Sequence, residues 1–95
     1  MNIQIQSLHF SATSKLKSFL QKKIQKLLTV DDSIISANVY LKLEKPESYD
    51  NKIVDVKIHS KMGEYFASKQ SNSFEESTDL VIQALRKQIL KNKGK

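Results

Sequence analysis

The sequence predicts an α+β fold, a two-layer sandwich in which a four-stranded sheet carries both helices on one face. Four segments alternate apolar and polar residues, which is the period of a strand with one buried face. Two longer segments repeat apolar residues every three or four positions, as amphipathic helices do. Their order is β-α-β-β-β-α, and hairpin-length links between the last three strands predict antiparallel pairing. We expect one domain over residues 1–95.

The first strand and the first helix are marked by a change of period. Residues 2–7 alternate isoleucine with polar side chains. Thr13 and its neighbouring serines offer side-chain oxygens that cap a helix. From Lys15 onward the apolar positions form one helical stripe, made of Leu16, Leu20, Ile24 and Leu27. Asp31 and Asp32 close this segment as turn residues.

Three further strands are predicted over residues 35–45, 52–60 and 65–70. Their inward positions are apolar: Ala37, Val39, Leu41, Leu43, Val54, Val56 and Ile58. The intervening positions are polar or amphipathic, so one face of the sheet is expected to stay open to solvent.

Two connections separate these strands. Residues 45–51 contain the only proline and form a polar loop. Residues 61–64 form a tight turn, because Gly63 tolerates a positive φ. The period does not decide whether Tyr65 or Phe66 faces the core.

The last helix begins at a predicted capping box. The Ser73 hydroxyl would accept from the Glu76 amide, and the Glu76 carboxylate would reach back to the Ser73 amide. The apolar stripe of this helix consists of Phe74, Val81, Ile82, Leu85 and Ile89. Glu75, Glu76 and Asp79 lie in its first two turns and cations in its last two, which complements the helix dipole. Residues 92–95 are expected to form a frayed tail.

The composition argues against several classes of function. Cysteine is absent, and neither His9 nor His59 lies in a metal-binding spacing, so no metal site is expected. Glycine occurs only at positions 63 and 94, which excludes the phosphate-binding, dinucleotide-binding and KH-domain glycine loops. No apolar run approaches the roughly 18 residues of a membrane span, and no signal peptide is recognisable. We therefore expect a cytoplasmic protein that is not an enzyme and has no cofactor.

Charge is segregated along the chain, whose formal net charge is +6. The first 30 residues carry five lysines and no carboxylate, and the last ten residues carry five cations and no carboxylate. All ten acidic residues lie between Asp31 and Asp79. Because both basic ends are predicted helices, adjacent helices would place ten cations on one surface, which would attract a polyanion such as nucleic acid.

Helical wheels place these cations relative to the apolar stripes. In the first helix four lysines line one flank of the buried face, and in the last helix cations occupy one flank and the back. The candidate RNA-binding residues are Lys15, Lys22, Lys23, Lys26, Arg86, Lys87, Lys91 and Lys93. Lysine outnumbers arginine fifteen to one, which favours recognition of phosphates and shape over bidentate reading of bases.

Three segments carry the motifs of a known family. Residues 16–27 contain the run Lys-Ile-x-Lys-Leu, residues 37–45 read Ala-Asn-Val-Tyr-Leu-Lys-Leu-Glu-Lys, and residues 85–93 read Leu-Arg-Lys-Gln-Ile-Leu-Lys-Asn-Lys. Together with the element order, these resemble the first helix, the second strand and the closing helix of the ribosome hibernation promoting factors, also called ribosome-associated translation inhibitors. The start of the last helix departs from the family pattern, where Asp79 alone matches.

The resemblance implies a stress or stationary-phase factor of the short form, a monomer off the ribosome that binds the small ribosomal subunit. It would contact 16S rRNA and ribosomal proteins between head and body, and would block the mRNA path and the tRNA positions by occlusion, without turnover. The family's basic positions are matched by Lys23, Lys26, Lys87, Lys91 and Lys93. Arg86 falls on a variable position, and Lys15 and Lys22 come from the wheel alone.

Two other readings stay open. The basic face could dock an acidic protein, as an interaction module that regulates a transcription factor, since some relatives are labelled sigma-factor modulators. A generic double-stranded-RNA-binding domain also has the order α-β-β-β-α. The extra first strand and the absence of a basic loop before the last helix argue against that second reading.

Overall fold

A computed structural model describes residues 1–8, 10–44 and 50–94. Its elements are β1 (Asn2–Leu8), α1 (Ser14–Gln25), a 3₁₀ turn (Lys26–Thr29), β2 (Ile34–Leu43), β3 (Lys52–Ser60), β4 (Gly63–Ser71) and α2 (Phe74–Lys93). The predicted α+β class and element order are confirmed. His9 and most of the predicted loop at 45–51 lie outside the described residues.

The sheet runs in the order β1-β2-β3-β4. β2, β3 and β4 pair antiparallel, as the short links predict. β1 pairs parallel with β2, with Ile5 opposite Val39. A parallel neighbour requires a crossover connection, and α1 supplies it. The alternation of residues 2–7 predicts a strand but does not indicate its partner.

The core lies on one face of this sheet. The register places Val39, Val56 and Ala67 side by side across three strands, and all three are buried. Apolar residues of both helices join the same cluster: Leu20, Ile24, Val81, Leu85 and Ile89. Because a single cluster holds both helices and the sheet, the helices cover the same face, and they also pack against each other. The other face has no helix over it among the described residues.

The caps at the starts of both helices agree with the sequence prediction, but the end of α1 and one hydrogen bond at the start of α2 differ from it. Thr13 caps α1, since its side chain accepts from the Leu16 amide at 3.1 Å. The helix narrows to a 3₁₀ turn after Gln25, so that Lys26 lies in this turn and not in α1. At the start of α2, the Ser73 hydroxyl accepts a hydrogen bond from the Glu76 amide at 3.1 Å. The Ser73 amide, however, donates to Ser71 Oγ at 3.4 Å. The reciprocal half of the predicted capping box is therefore wrong, because a serine already takes that amide.

The predicted tail is also wrong at residues 92 and 93, which continue α2 up to a cap at Gly94. Asn92 Nδ2 donates to the Tyr65 hydroxyl at 2.8 Å and to the Met62 carbonyl at 3.2 Å. These bonds tie the last turn of α2 to the start of β4. Within the described residues, neither helix combines the length and the hydrophobicity that a membrane-spanning segment requires.

β4 begins at the turn glycine and resolves the ambiguity between its two aromatic residues. Gly63 has φ +145°, a backbone conformation that residues with a side chain rarely adopt. This agrees with the positive φ predicted for the turn. Tyr65 is 7% exposed and joins the core, whereas Phe66 is 55% exposed. The open sheet face therefore carries Phe66.

Candidate nucleic-acid interface

The structure brings α1 and α2 together side by side, so the two basic ends of the chain share one side of the molecule. Of the eight predicted cations, Lys23 is half-buried. The other seven are exposed: Lys15, Lys22, Lys26, Arg86, Lys87, Lys91 and Lys93. The geometric requirement of the sequence hypothesis, two neighbouring basic helices, is met.

A groove of about 600 Å³ lies between α1 with its 3₁₀ turn and α2. Lys23, Lys26 and Arg86 line it together with Leu27 and Ile82. Leu27 belongs to the core cluster and Ile82 packs against it, so cations and apolar side chains meet in one concave surface. Cations from two distant parts of the chain thus converge on a single feature.

Lys23 is not an independent cation. Its Nζ lies 3.2 Å from Asp79 Oδ1, and the two side chains are 34% and 48% exposed. The same Nζ lies 5.5 Å from the centre of the Phe19 ring, a cation–π distance. The position of Asp79 in the first turns of α2 predicts only an interaction with the helix dipole, and this pair, which joins α2 to α1, has no signal in the sequence. An exposed ion pair of this kind stabilises a fold by about 1 kcal/mol at most.

Lys93 has a second function in the fold. Its Nζ donates to the Val30 carbonyl at 2.6 Å, and so attaches the end of α2 to the segment after the 3₁₀ turn. An ammonium group has three donors, so this bond leaves two for another partner.

Not all of the remaining cations lie at this groove. Lys91 lines a recess with Gly63 and Glu64, on the side of α2 that faces β4. It therefore lies away from the groove that α2 forms with α1. Within residues 1–8, 10–44 and 50–94, no ion pair engages Lys15, Lys22, Lys26, Arg86, Lys87 or Lys91.

The carboxylates of the strands, Asp55 and Glu64, interact with neighbouring strand residues. Asp55 Oδ2 lies 2.8 Å from Lys42 Nζ on the open sheet face, and Ser68 donates to Asp55 Oδ1. The hydrogen bond to Asp55, helped by the charge of that carboxylate, raises the pKa of Lys42. Glu64 approaches His59 Nδ1 at 3.5 Å. In the described part of the chain these strand carboxylates pair with strand residues and form no ion pair with the helical lysines.

Asp31, a turn residue in the sequence pattern, is a buried carboxylate that connects the end of the 3₁₀ segment to the end of β3. Asp31 is only 2% exposed. Its Oδ1 accepts hydrogen bonds from the Ser33 amide at 2.9 Å and from the Ser33 hydroxyl at 2.6 Å. Its Oδ2 accepts a hydrogen bond from the Ser60 hydroxyl at 2.7 Å. Burial acts to raise the pKa of Asp31, but these hydrogen bonds and the charge of Lys93 outweigh it, so the pKa lies below its usual value. The spacing Asp-x-Ser is the sequence signal for this local bond.

A family described as "Sigma 54 modulation protein / S30EA ribosomal protein" matches the chain over residues 3–95. This match confirms the resemblance indicated by the motifs in the helices and the second strand. Among curated proteins, none is significantly similar in sequence.

Two solved structures share the fold. The chain is similar to a ribosomal subunit interface protein from Coxiella burnetii, with a TM-score of 0.89, 23% identity and 100% of both chains covered. It is also similar to the N-terminal domain of Protein Y from Thermus thermophilus, with a TM-score of 0.81, 18% identity, and 94% of this chain and 96% of that one covered. At these identities the two structures establish the fold alone.

Proposed function

We propose that this chain, which belongs to the Sigma 54 modulation protein / S30EA ribosomal protein family, binds the small ribosomal subunit and inhibits translation. The observation that carries the proposal is the groove between α1 and α2, where Lys23, Lys26 and Arg86 from both ends of the chain converge. The similar protein from Coxiella burnetii is named for the ribosomal subunit interface, which agrees with this assignment.

Phosphate groups are the expected ligands of this surface. Cations on two adjacent helices match a backbone that carries one charge per nucleotide, and each neutralised phosphate releases counterions. Lysine is a point charge that contacts phosphates without bidentate geometry. A folded, rigid RNA such as 16S rRNA would therefore be held largely by its shape and its phosphates.

The mechanism that follows is occlusion. A rigid domain seated in the channel between head and body of the small subunit would fill the space of mRNA and tRNA, and the block would last as long as the domain stays bound. This action needs no turnover, no cofactor and no second copy of the chain. The protein would work as a cytoplasmic monomer that associates with ribosomes under stress or in stationary phase.

Co-sedimentation tests this function directly. Purified protein added to 30S and 70S particles should appear in the pelleted fraction at low salt and should leave it as the salt concentration rises. Inhibition of translation in a purified system should follow the same salt dependence. Absence of co-sedimentation at low salt, or binding that salt does not weaken, would contradict the proposal.

A second candidate is favoured by the family description, which also names modulation of sigma 54. The basic helices would then dock an acidic protein surface. Treatment of a lysate with RNase separates the two: it should release the protein from large particles if RNA holds it, and leave its complexes intact if a protein partner holds it.

A further inference from the structure

The groove between α1 and α2 contains a carboxylate that phosphate binding alone does not explain. Asp79 lines it together with Lys23, Lys26 and Arg86, and its side chain is 48% exposed. A surface that only tracks phosphates is weakened by a negative charge among its cations, because the carboxylate repels the ligand. Asp79 is also held in place, since its Oδ1 is paired with Lys23.

The groove has the other parts of a nucleobase site. Leu27, Val30 and Ile82 give it an apolar lining, and its volume of about 600 Å³ lies within the range of about 300–1,000 Å³ in which proteins hold small ligands. Gln83 follows Asp79 by one helical turn and also lines the groove, so an amide and a carboxylate stand on the same side of α2. Arg86 and Lys26 border it as cations for a phosphate, and a guanidinium plane also stacks on bases.

We propose that this groove binds a single unpaired guanine nucleotide of RNA and that Asp79 reads the base. Among the four RNA bases, only guanine presents two adjacent donors, N1–H and the N2 amino group, on its Watson–Crick edge. One carboxylate accepts both, and a charge-assisted pair of parallel bonds is among the stronger polar contacts. A carboxylate has about four lone-pair sites, so Asp79 can keep Lys23 while it accepts from the base.

The proposal rests on the proposed function, because it names what one part of the RNA-binding surface recognises. Arg86 and Lys26 would hold the phosphate next to the flipped base, and the apolar lining would contact its ring. Unpaired, splayed bases are the usual targets of sequence-specific RNA recognition. The surface would thus combine phosphate binding along the helices with one position of base selectivity.

The test uses six-nucleotide RNAs of uridine in which one internal position holds guanosine, inosine or adenosine, together with an all-uridine RNA. Their affinities for the protein are measured by fluorescence anisotropy at low salt. The guanosine RNA should bind at least about fivefold more tightly than the all-uridine RNA, the low end of a bidentate contact to a base edge. Inosine lacks the N2 amino group and should fall between them. Equal affinities for guanosine and inosine RNAs would overturn the proposal, and this comparison needs no variant.

Asp79→Asn provides the second arm, with Glu76→Gln as its matched control. Both remove one negative charge from the first turns of α2, but Glu76 is exposed and does not line the groove. Asp79→Asn should abolish the guanosine preference without weakening binding of the all-uridine RNA, whereas Glu76→Gln should keep the preference. A preference that survives in Asp79→Asn, or is lost in both variants, would contradict base reading by Asp79. Co-sedimentation of wild-type protein with ribosomal particles is measured in parallel: if it persists without any guanosine preference, only the base reading fails.

Discussion

Lysine residues at different positions of this surface are expected to contribute differently to anion binding. Lys26 and Lys87 are exposed and make no ion pair within the described residues, whereas Lys23 shares its charge with Asp79. An ammonium already paired with a carboxylate gains less from a phosphate, because binding replaces an existing interaction. We therefore expect the free cations to dominate affinity and Lys23 to contribute mainly by holding the two helices together.

Reversal of two groove cations should test this ranking. Lys26→Glu combined with Arg86→Glu should lower the affinity for 30S particles by more than about tenfold, since two charged contacts become repulsive. Both side chains are exposed and make no ion pair within residues 1–8, 10–44 and 50–94, so the melting temperature should change by less than about 4 °C, the shift of about 1 kcal/mol in a domain of this size. The measurement is co-sedimentation at low salt with thermal unfolding in parallel.

A matched control is Lys57→Glu with Lys61→Glu, which makes the same change of net charge at exposed positions of β3 and its turn. Its binding should remain close to that of wild type. An equal loss in both double variants would mean that net charge, and not the groove, determines affinity.

Asp31 is expected to be the most sensitive acidic position for stability. Asp31→Asn leaves one of the Ser33 and Ser60 donors without its acceptor, and hydrogen bonds to charged groups contribute about 1.5–3 kcal/mol each. The free energy of unfolding at neutral pH should fall by about that amount in urea titrations. Asp32→Asn, at the exposed neighbouring position, should leave it unchanged.

The pH dependence of the Asp31 contribution has a defined sign. Its pKa in the folded protein lies below the usual value of 3.8, so the unfolded chain binds more protons and stability rises with pH in this range. The contribution should be complete above about pH 4 to 5 and should disappear as the pH falls through the folded pKa. Unfolding measured for wild type and Asp31→Asn should therefore converge in strong acid; a difference that grows there would contradict the assignment.

At the scale of elements, periodicity predicted every strand and both helices because each has one buried face. The ends were less accessible to prediction, because they depend on tertiary contacts. Residues 92 and 93 are helical since Asn92 reaches Tyr65 and Lys93 reaches Val30, contacts that the sequence does not encode locally. Ser77 and Thr78 are buried in α2 although both are polar, and each hydroxyl donates to a backbone carbonyl.

One of the two sheet edges, at β4, is partly covered by a side chain of α2. β4 is an edge strand, and Gln88 accepts from the Phe66 amide at 3.3 Å and donates to the Phe66 carbonyl at 2.7 Å. The side-chain amide of Gln88 thus makes the two hydrogen bonds that a neighbouring strand would make with Phe66. Because unprotected sheet edges favour pairing between molecules, this contact should disfavour self-association.

Gln88→Ala should therefore increase self-association, which light scattering after size-exclusion chromatography measures over rising protein concentration. Gln83→Ala, in the same helix but at an exposed position that lines the groove between α1 and α2, is the matched control and should remain as monomeric as wild type. A monomeric Gln88→Ala protein at all concentrations would show that the edge needs no cover.

For the molecule as a whole, the helices and the 3₁₀ turn carry nine cations and three carboxylates, whereas the strands carry four lysines and two carboxylates. The salt dependence of binding should therefore belong to the helical face. Each phosphate contact contributes about 0.7–0.9 to the slope of log affinity against log salt concentration. Lys26→Gln with Arg86→Gln should reduce the magnitude of that slope by about 1.4–1.8, whereas Lys57→Gln with Lys61→Gln should leave it unchanged.

Much of this surface could be predicted from charge order alone, because two basic helices on one sheet face must be neighbours. What the sequence could not give is how the helices align along each other. That alignment sets Lys23 against Asp79, forms the groove at Lys26 and Arg86, and turns Lys91 toward β4. Helix packing is decided by the shapes of buried side chains, which no local pattern reports.

The bond from Lys93 to the Val30 carbonyl joins parts of the chain that are synthesised at different times. α1 and the 3₁₀ turn emerge first, but the groove has only one wall until α2 has docked against them. A partly made chain would therefore present half of the cations and no cleft. The proposed RNA-binding groove is therefore complete only when the last helix of the chain has folded against the first.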